Sequence, residues 1–170
     1  MKRRDALPVH PLPVGQQAPT GEPGALRLSG LFARPVTLSA VEVSQFPRER
    51  LAEPFVCEEG WSVDGLAWEG VPLREIVARG EPLPEAGYLR IYAGDYWLAL
   101  PLAELDGALL CDRLNDAPLA PAHGAPWRLV LSGGACFTSV KWVDHLELAA
   151  ELGEATAERI ARGRIDANGD

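Results

Sequence analysis

Three short stretches of the chain carry residue types that could do chemistry. The first is Cys57, which closes an apolar run and precedes Glu58-Glu59-Gly60. A thiol at the end of a strand, beside a glycine, is placed to face a pocket. The adjacent carboxylates oppose its ionisation, so Cys57 makes a poor unassisted nucleophile. A metal reverses that logic, because coordination deprotonates the sulfur outright. A soft thiolate suits a soft or high-valent metal centre. The competing reading is an inert core thiol, since free cysteine is among the most buried residue types.

The second stretch is His123-Gly124-Ala125-Pro126-Trp127-Arg128. Arg128 falls at the second position of a strongly apolar strand, where its fixed charge is costly unless an anion meets it. An internal acid such as Asp95 or Asp112 would serve. So would a phosphate, which matches the guanidinium fork. The third stretch runs from Ser132-Gly133-Gly134 to Ser139-Val140-Lys141. Glycines let backbone N–H groups approach an anion, and Lys141 adds a point charge. The pattern is neither a Walker loop nor a dinucleotide fingerprint, and an ordinary Gly-Gly turn is the alternative. Cys111 and Cys136 read as core fillers, His145 as a surface or edge residue, and Trp61 as a pocket wall beside Cys57. The three histidines support no Ser-His-Asp arrangement and no zinc hydrolase.

The elements that must position these residues are strand-rich. Strands are expected at 25–30, 35–38, 51–57, 88–92, 96–100, 110–114 and 127–131, with a last extended stretch over 140–148. Ser39 with Glu42 three residues later predicts a capped helix that Pro47 stops. A second helix is expected over 72–79, with Pro72 in its first turn, Gly80 behind its end, and Leu73, Ile76 and Val77 on its buried face. A short helix is expected over 101–109 and a tight turn at Asn115-Asp116-Ala117-Pro118. No regular strand–helix–strand alternation is present, which points to an α+β domain.

The whole chain is consistent with that. It has 170 residues, 47% of them apolar and 24% charged, with a net charge of −8. These values describe a globular domain with no general appetite for nucleic acid or anionic lipid. No apolar run approaches the roughly 18 residues of a membrane-spanning helix. Three cysteines without a Cys-x-x-Cys pair make neither a disulfide scaffold nor a zinc site. Residues 1–24 read as an extended arm, 25–150 as the domain, and 151–170 as a charged helical tail. Lys2-Arg3-Arg4 opens like a twin-arginine export signal, but Pro8, Pro11 and Pro13 interrupt the apolar helix such a signal needs. The expectation is a cytoplasmic protein.

Taken in order, these pieces resemble the molybdopterin-binding oxidoreductase domain of the sulfite oxidase and methionine-sulfoxide-reductase-like superfamily. The resemblance is carried by Cys57-Glu58-Glu59-Gly60-Trp61-Ser62, Trp68-Glu69-Gly70-Val71-Pro72-Leu73, His123-Gly124-Ala125-Pro126-Trp127-Arg128 and Ser139-Val140-Lys141-Trp142, over roughly residues 25–150. It implies a sulfite oxidase-type fold with a mixed β core and short helices, holding Mo-molybdopterin. Cys57 then corresponds to the catalytic metal ligand. His123, Arg128, Ser139, Val140 and Lys141 correspond to cofactor-binding positions, with Asp95 as a further candidate. The implied activity is two-electron oxo transfer on a small substrate (an S-oxide, an N-oxide or a sulfite-like molecule), with electrons exchanged through a separate partner. The alternative is a non-catalytic molybdopterin-binding or protein-interaction domain on the same fold.

Overall fold

The computed structural model describes residues 1–9 and 22–156. In chain order the first elements are β1 (Lys2–Arg4), β2 (Leu26–Gly30), β3 (Val36–Leu38) and helix α1 (Ala40–Ser44). Next come β4 (Glu49–Ala52), β5 (Phe55–Cys57), β6 (Trp61–Val63), β7 (Ala67–Pro72) and helix α2 (Leu73–Gly80). The rest are β8 (Tyr88–Ala93), β9 (Tyr96–Pro101), β10 (Ala108–Leu114), β11 (Ala117–Pro118), β12 (Arg128–Leu131) and β13 (His145–Ala149).

The strands form three sheets. One has the order β3-β2-β13-β8-β9, with β2 and β13 parallel and the other pairs antiparallel. A second has β11-β10-β7-β4, with β12 also pairing β10, all antiparallel. The third is small, β1-β6-β5, with β1 parallel to β6. Two of these sheets are thus mixed and one antiparallel, and the helices among the described residues are short.

The second sheet divides the apolar interior into two cores, because successive side chains on a strand point to opposite faces. On β10, Ala108 and Leu110 join the main core with Leu26, Leu28, Ile76, Ile91 and Leu146. Leu109 and Cys111 face a smaller core with Cys57, Trp61, Val63 and Trp68. The same alternation on β12 sends Leu129 into the main core and Val130 into the smaller one. Arg128 shares the face of Val130. Gly70 makes the β7–β10 contact possible: a Cβ there would stand 2.2 Å from the Leu110 carbonyl oxygen and 2.5 Å from the Cys111 Cα.

Local signals are realised closely. Ser39 caps α1 in a full capping box with Glu42. Asn115 and Asp116, with φ of 52° and 63°, form the tight β10–β11 turn. Leu73, Ile76 and Val77 are the buried face of α2, although Pro72 caps the helix rather than opening it and Gly80 is its last residue.

Five expectations are corrected. The single strand over 51–57 is two strands in different sheets, β4 beside β7 and β5 beside β6, because Pro54 lacks the N–H to continue a ladder. The helix over 101–109 is one 3-10 turn, Leu102–Glu104, after which Gly107 (φ +79°) redirects the chain into β10. The extended arm begins with a strand, since Lys2–Arg4 pairs with β6 and Leu7 is buried. His145 lies on β13, the middle strand of its sheet, not at an edge. Residues 151–155 form no helix, and most of the expected tail, like His10 to Val14 of the arm, lies outside the described residues.

Candidate cofactor site

The smaller core is where the candidate residues meet. Cys57 ends β5 and is paired in register with Trp61 across a turn that Gly60 (φ +86°) completes. Trp61 stacks on Phe55 at 5.8 Å, walling the hairpin that carries the thiol. The Cys57 thiol is pushed up to about 12, first by burial and then by its contact with Cys136. The backbone N–H of Glu59 bonds to the sulfur and pulls the other way, while the Glu59 charge is the smallest cause. Burial, not the flanking carboxylates, is therefore what keeps the free thiol protonated.

Arg128 is only 4% exposed, and no carboxylate pairs with it among the described residues. Its Nε donates to the Ser139 hydroxyl at 2.9 Å and its Nη1 to the His123 carbonyl at 3.0 Å. Its guanidinium lies over the rings of Trp68 at 4.9 Å and Phe55 at 5.5 Å. Neither candidate acid reaches it: Asp112 is bound by Arg48 at 2.5 Å, and Asp95 is exposed at the β8–β9 tip. Burial draws the Arg128 guanidinium down to about 10.

Lys141 adds a second cation. Its ammonium donates to the Ala122 carbonyl at 2.9 Å, and burial followed by repulsion from Arg128 lowers it to about 8. Gly124 (φ +112°) lets the two segments touch, since a Cβ there would stand 2.9 Å from the Lys141 Cβ. The His123 imidazole is held below its usual value by burial, then by Lys141 and Arg128, and its Nδ1 is buried with no hydrogen-bond partner among the described residues.

The structure thus brings Cys57, His123, Arg128, Ser139 and Lys141 to one region. Val140 differs: its side chain belongs to the main core and its carbonyl accepts from the Leu129 N–H at 2.8 Å, so it anchors the segment. Asp95 stays apart, its carbonyl accepting from the Thr156 hydroxyl at 3.0 Å; its neighbour Tyr96 instead donates to the Phe137 carbonyl at 2.9 Å. The expected Ser132-Gly133-Gly134 cradle is already filled, because the Glu53 carboxylate accepts from the Gly133 N–H at 3.0 Å and from the Ser132 hydroxyl. Beside that loop lies a cavity of about 140 Å3 lined in part by Phe55, Trp68, Val130 and Ser139.

Sequence reasoning missed Cys136, whose sulfur is 2.7 Å from that of Cys57, and the Phe55–Trp68 bracket around Arg128. No local pattern announces a partner 79 positions away. One Ser–His contact is also present: His145 Nε2 and the Ser29 hydroxyl are 2.6 Å apart. Arg27 can only donate to Nδ1, at 3.0 Å, so Nε2 carries the proton and cannot take one from Ser29. That pair is no nucleophile.

The donor set fits an anionic, sulfur-ligated cofactor. Two cations held low by burial leave a deficit of negative charge that a phosphate would fill, and beside them is an imidazole nitrogen with no hydrogen-bond partner among the described residues. Among the described residues no three His, Cys, Asp or Glu side chains converge to hold a metal, so Cys57 would need ligands from outside the chain.

Comparison with known proteins agrees. The family model described as the oxidoreductase molybdopterin binding domain matches residues 18–156. The chain belongs to this family. An uncharacterized oxidoreductase of Bacillus subtilis (strain 168), YuiH, is 33% identical over 129 residues, 74% of this chain and 65% of that protein. The protein-methionine-sulfoxide reductase catalytic subunit MsrP of Campylobacter jejuni is 27% identical over 154 residues, 79% of this chain and 52% of that one. This molybdopterin-binding domain therefore spans less than two thirds of either relative's length. The sulfane dehydrogenase SoxCD from Paracoccus pantotrophus shares the fold, with a TM-score of 0.71 at 23% identity over 83% of this chain and 42% of that one. No helix among the described residues is long and apolar enough to cross a membrane.

Proposed function

We propose that the chain is a molybdenum-molybdopterin-dependent oxidoreductase of sulfite oxidase-type fold, acting by two-electron oxo transfer on a small substrate. The observation that carries this is Arg128: a guanidinium 4% exposed, bracketed by Trp68 and Phe55, with no carboxylate partner among the described residues. A fixed charge buried without a counter-ion is costly, and a ligand phosphate offsets that cost when it binds.

When bound, the cofactor supplies the oxo-transfer chemistry, while the protein supplies binding, orientation and electrostatics. Cys57 is the protein's ligand to the metal, and the Glu59 N–H bonded to its sulfur favours the thiolate form. Arg128 and Lys141 hold the phosphate, with the Ser139 hydroxyl aligning the Arg128 fork. The neutral His123 imidazole offers its unpaired Nδ1 to the pterin. Trp61 and Phe55 shield the Cys57 hairpin from water.

The printed names of two relatives concern oxidised or reduced sulfur, which supports an S-oxide or a related sulfur compound as substrate. An S-oxide would take up two electrons and two protons and release water. A separate redox partner would supply those two electrons.

The test is molybdenum per chain by elemental analysis, with pterin fluorescence after oxidative denaturation, on protein from a host that makes the cofactor. About one molybdenum per chain is expected in the wild type, with almost none in Cys57→Ser at unchanged circular dichroism. Folded wild-type protein with neither metal nor pterin would overturn the proposal. Loaded protein that turns over no S-oxide, N-oxide or sulfite would point to the non-catalytic binding domain.

A further inference from the structure

The proposed mechanism leaves Cys136 without a role, yet its sulfur stands 2.7 Å from that of Cys57. A disulfide bond measures about 2.05 Å, so well under about 1 Å of closure separates the pair from a covalent link. Both cysteines are free thiols. Their exposure differs usefully: Cys57 is 5% exposed, whereas Cys136 is half-buried at the start of the 3-10 turn Cys136–Thr138. That turn belongs to a half-exposed loop, so it can follow a small movement of the sulfur. An oxidant arriving from solvent meets Cys136 first and leaves Cys57 in position to resolve the adduct. Cys111, fully buried on β10 in the same small core, is shielded from that encounter.

We propose that Cys57 and Cys136 form a reversible disulfide in the cofactor-free chain, withholding the Cys57 thiol from a metal until a dithiol reduces the bond. The withholding half rests on the reading of Cys57 as the metal ligand; the disulfide itself does not. With oxidised glutathione as oxidant, the Cys136 sulfur attacks the glutathione disulfide, forms a mixed disulfide and releases one glutathione thiol. The Cys57 sulfur then attacks the Cys136 sulfur and releases the second. Two protein S–H bonds and one glutathione S–S bond are lost. One protein S–S bond and two glutathione S–H bonds are formed, the protons passing to the departing thiols. A dithiol reverses both steps.

The experiment uses the full chain purified from a strain unable to make the pterin, incubated with oxidised glutathione and denatured without reductant. Mass spectrometry should show the loss of two hydrogens and one linked peptide pair joining Cys57 to Cys136. Dithiothreitol should restore the thiols. The link should vanish in Cys136→Ser and persist in Cys111→Ser. The wild-type peptide map decides the matter even if a variant fails to fold. Unchanged mass, a persistent glutathione adduct or a link through Cys111 would overturn the disulfide.

A second arm adds molybdenum cofactor released from another molybdoenzyme and measures bound metal. Oxidised wild type should bind about tenfold less than reduced wild type, and oxidised Cys136→Ala should bind as the reduced protein does. Equal loading of oxidised and reduced wild type would overturn the withholding half. If the disulfide forms but Cys57→Ser still loads molybdenum, the ligand reading fails and the disulfide stands.

Discussion

Two buried or half-buried arginines lie near the same sheet and meet opposite fates. Arg48 donates to Glu69 at 2.9 Å and to Asp112 at 2.5 Å, with about a quarter of its side chain still in solvent. Arg128 is 4% exposed and has, among the described residues, only a hydroxyl, a carbonyl and two aromatic faces. Arg48 is raised above its ordinary value by its carboxylates despite burial, whereas Arg128 is drawn down to about 10. An arginine whose charge is matched inside the chain ties strands together. One that the fold buries and leaves unmatched is, on the proposed reading, a place for an anion from outside. The pair is instructive because one candidate partner of Arg128, Asp112, is the residue that Arg48 occupies.

The contrast is broken most directly at Arg128. Arg128→Met should reduce retention of pterin and molybdenum by about 30-fold or more, because a buried charge partner is removed. The empty protein should keep its urea midpoint or gain slightly, since an unmatched buried charge is gone. Loading at the wild-type level would dissolve the distinction between the two arginines.

A smaller effect is expected at Gly124, where φ is +112° and a Cβ would press on Lys141 at 2.9 Å. Gly124→Ala should cost about 1–3 kcal/mol by urea unfolding and should weaken cofactor retention through the displaced ammonium. Arg48→Met is the mirror experiment. It leaves Glu69 and Asp112 without their shared cation, and about 1 kcal/mol of stability should be lost while pterin content is unchanged. A drop in pterin content would move Arg48 into the site.

A pH-dependent effect concerns another internally satisfied group. His145 is lowered from 6.5 to about 4, first by burial and then by Arg27. The unfolded chain binds this proton below about pH 6.5, but the folded chain does so only near pH 4. Its contribution is therefore complete above about pH 6.5 and is lost as pH falls towards 4. His145→Gln should flatten that part of the slope, read as urea midpoints across the interval. An unchanged slope would show that His145 titrates normally.

Much of the candidate cluster was legible in the chain. Cys57, Arg128, Ser139 and Lys141 were marked by residue type and by neighbours within a few positions, and each lies in the cluster. Signals confined to one turn were equally legible: the Ser39–Glu42 box and the Asn115-Asp116 turn form as read. Readings that depended on a distant partner failed. The 51–57 segment looked like one strand because both halves are apolar, yet its halves pair with different sheets. The glycine loop looked like an anion cradle, and it is one, but Glu53 sits in it.

The sequence by itself determined which residues were able to do chemistry, since a thiol, a guanidinium and an ammonium keep their character wherever the chain carries them. It also determined the local elements, whose periodicity and caps act within about four residues. Only the tertiary structure decided which charges were already matched. It gave Asp112 to Arg48, left Arg128 with no acid among the described residues, and set Cys136 against Cys57. The physical reason is that pairing energy depends on distance and burial. Both are set by strand register between segments far apart in the chain, which no short stretch of residues encodes.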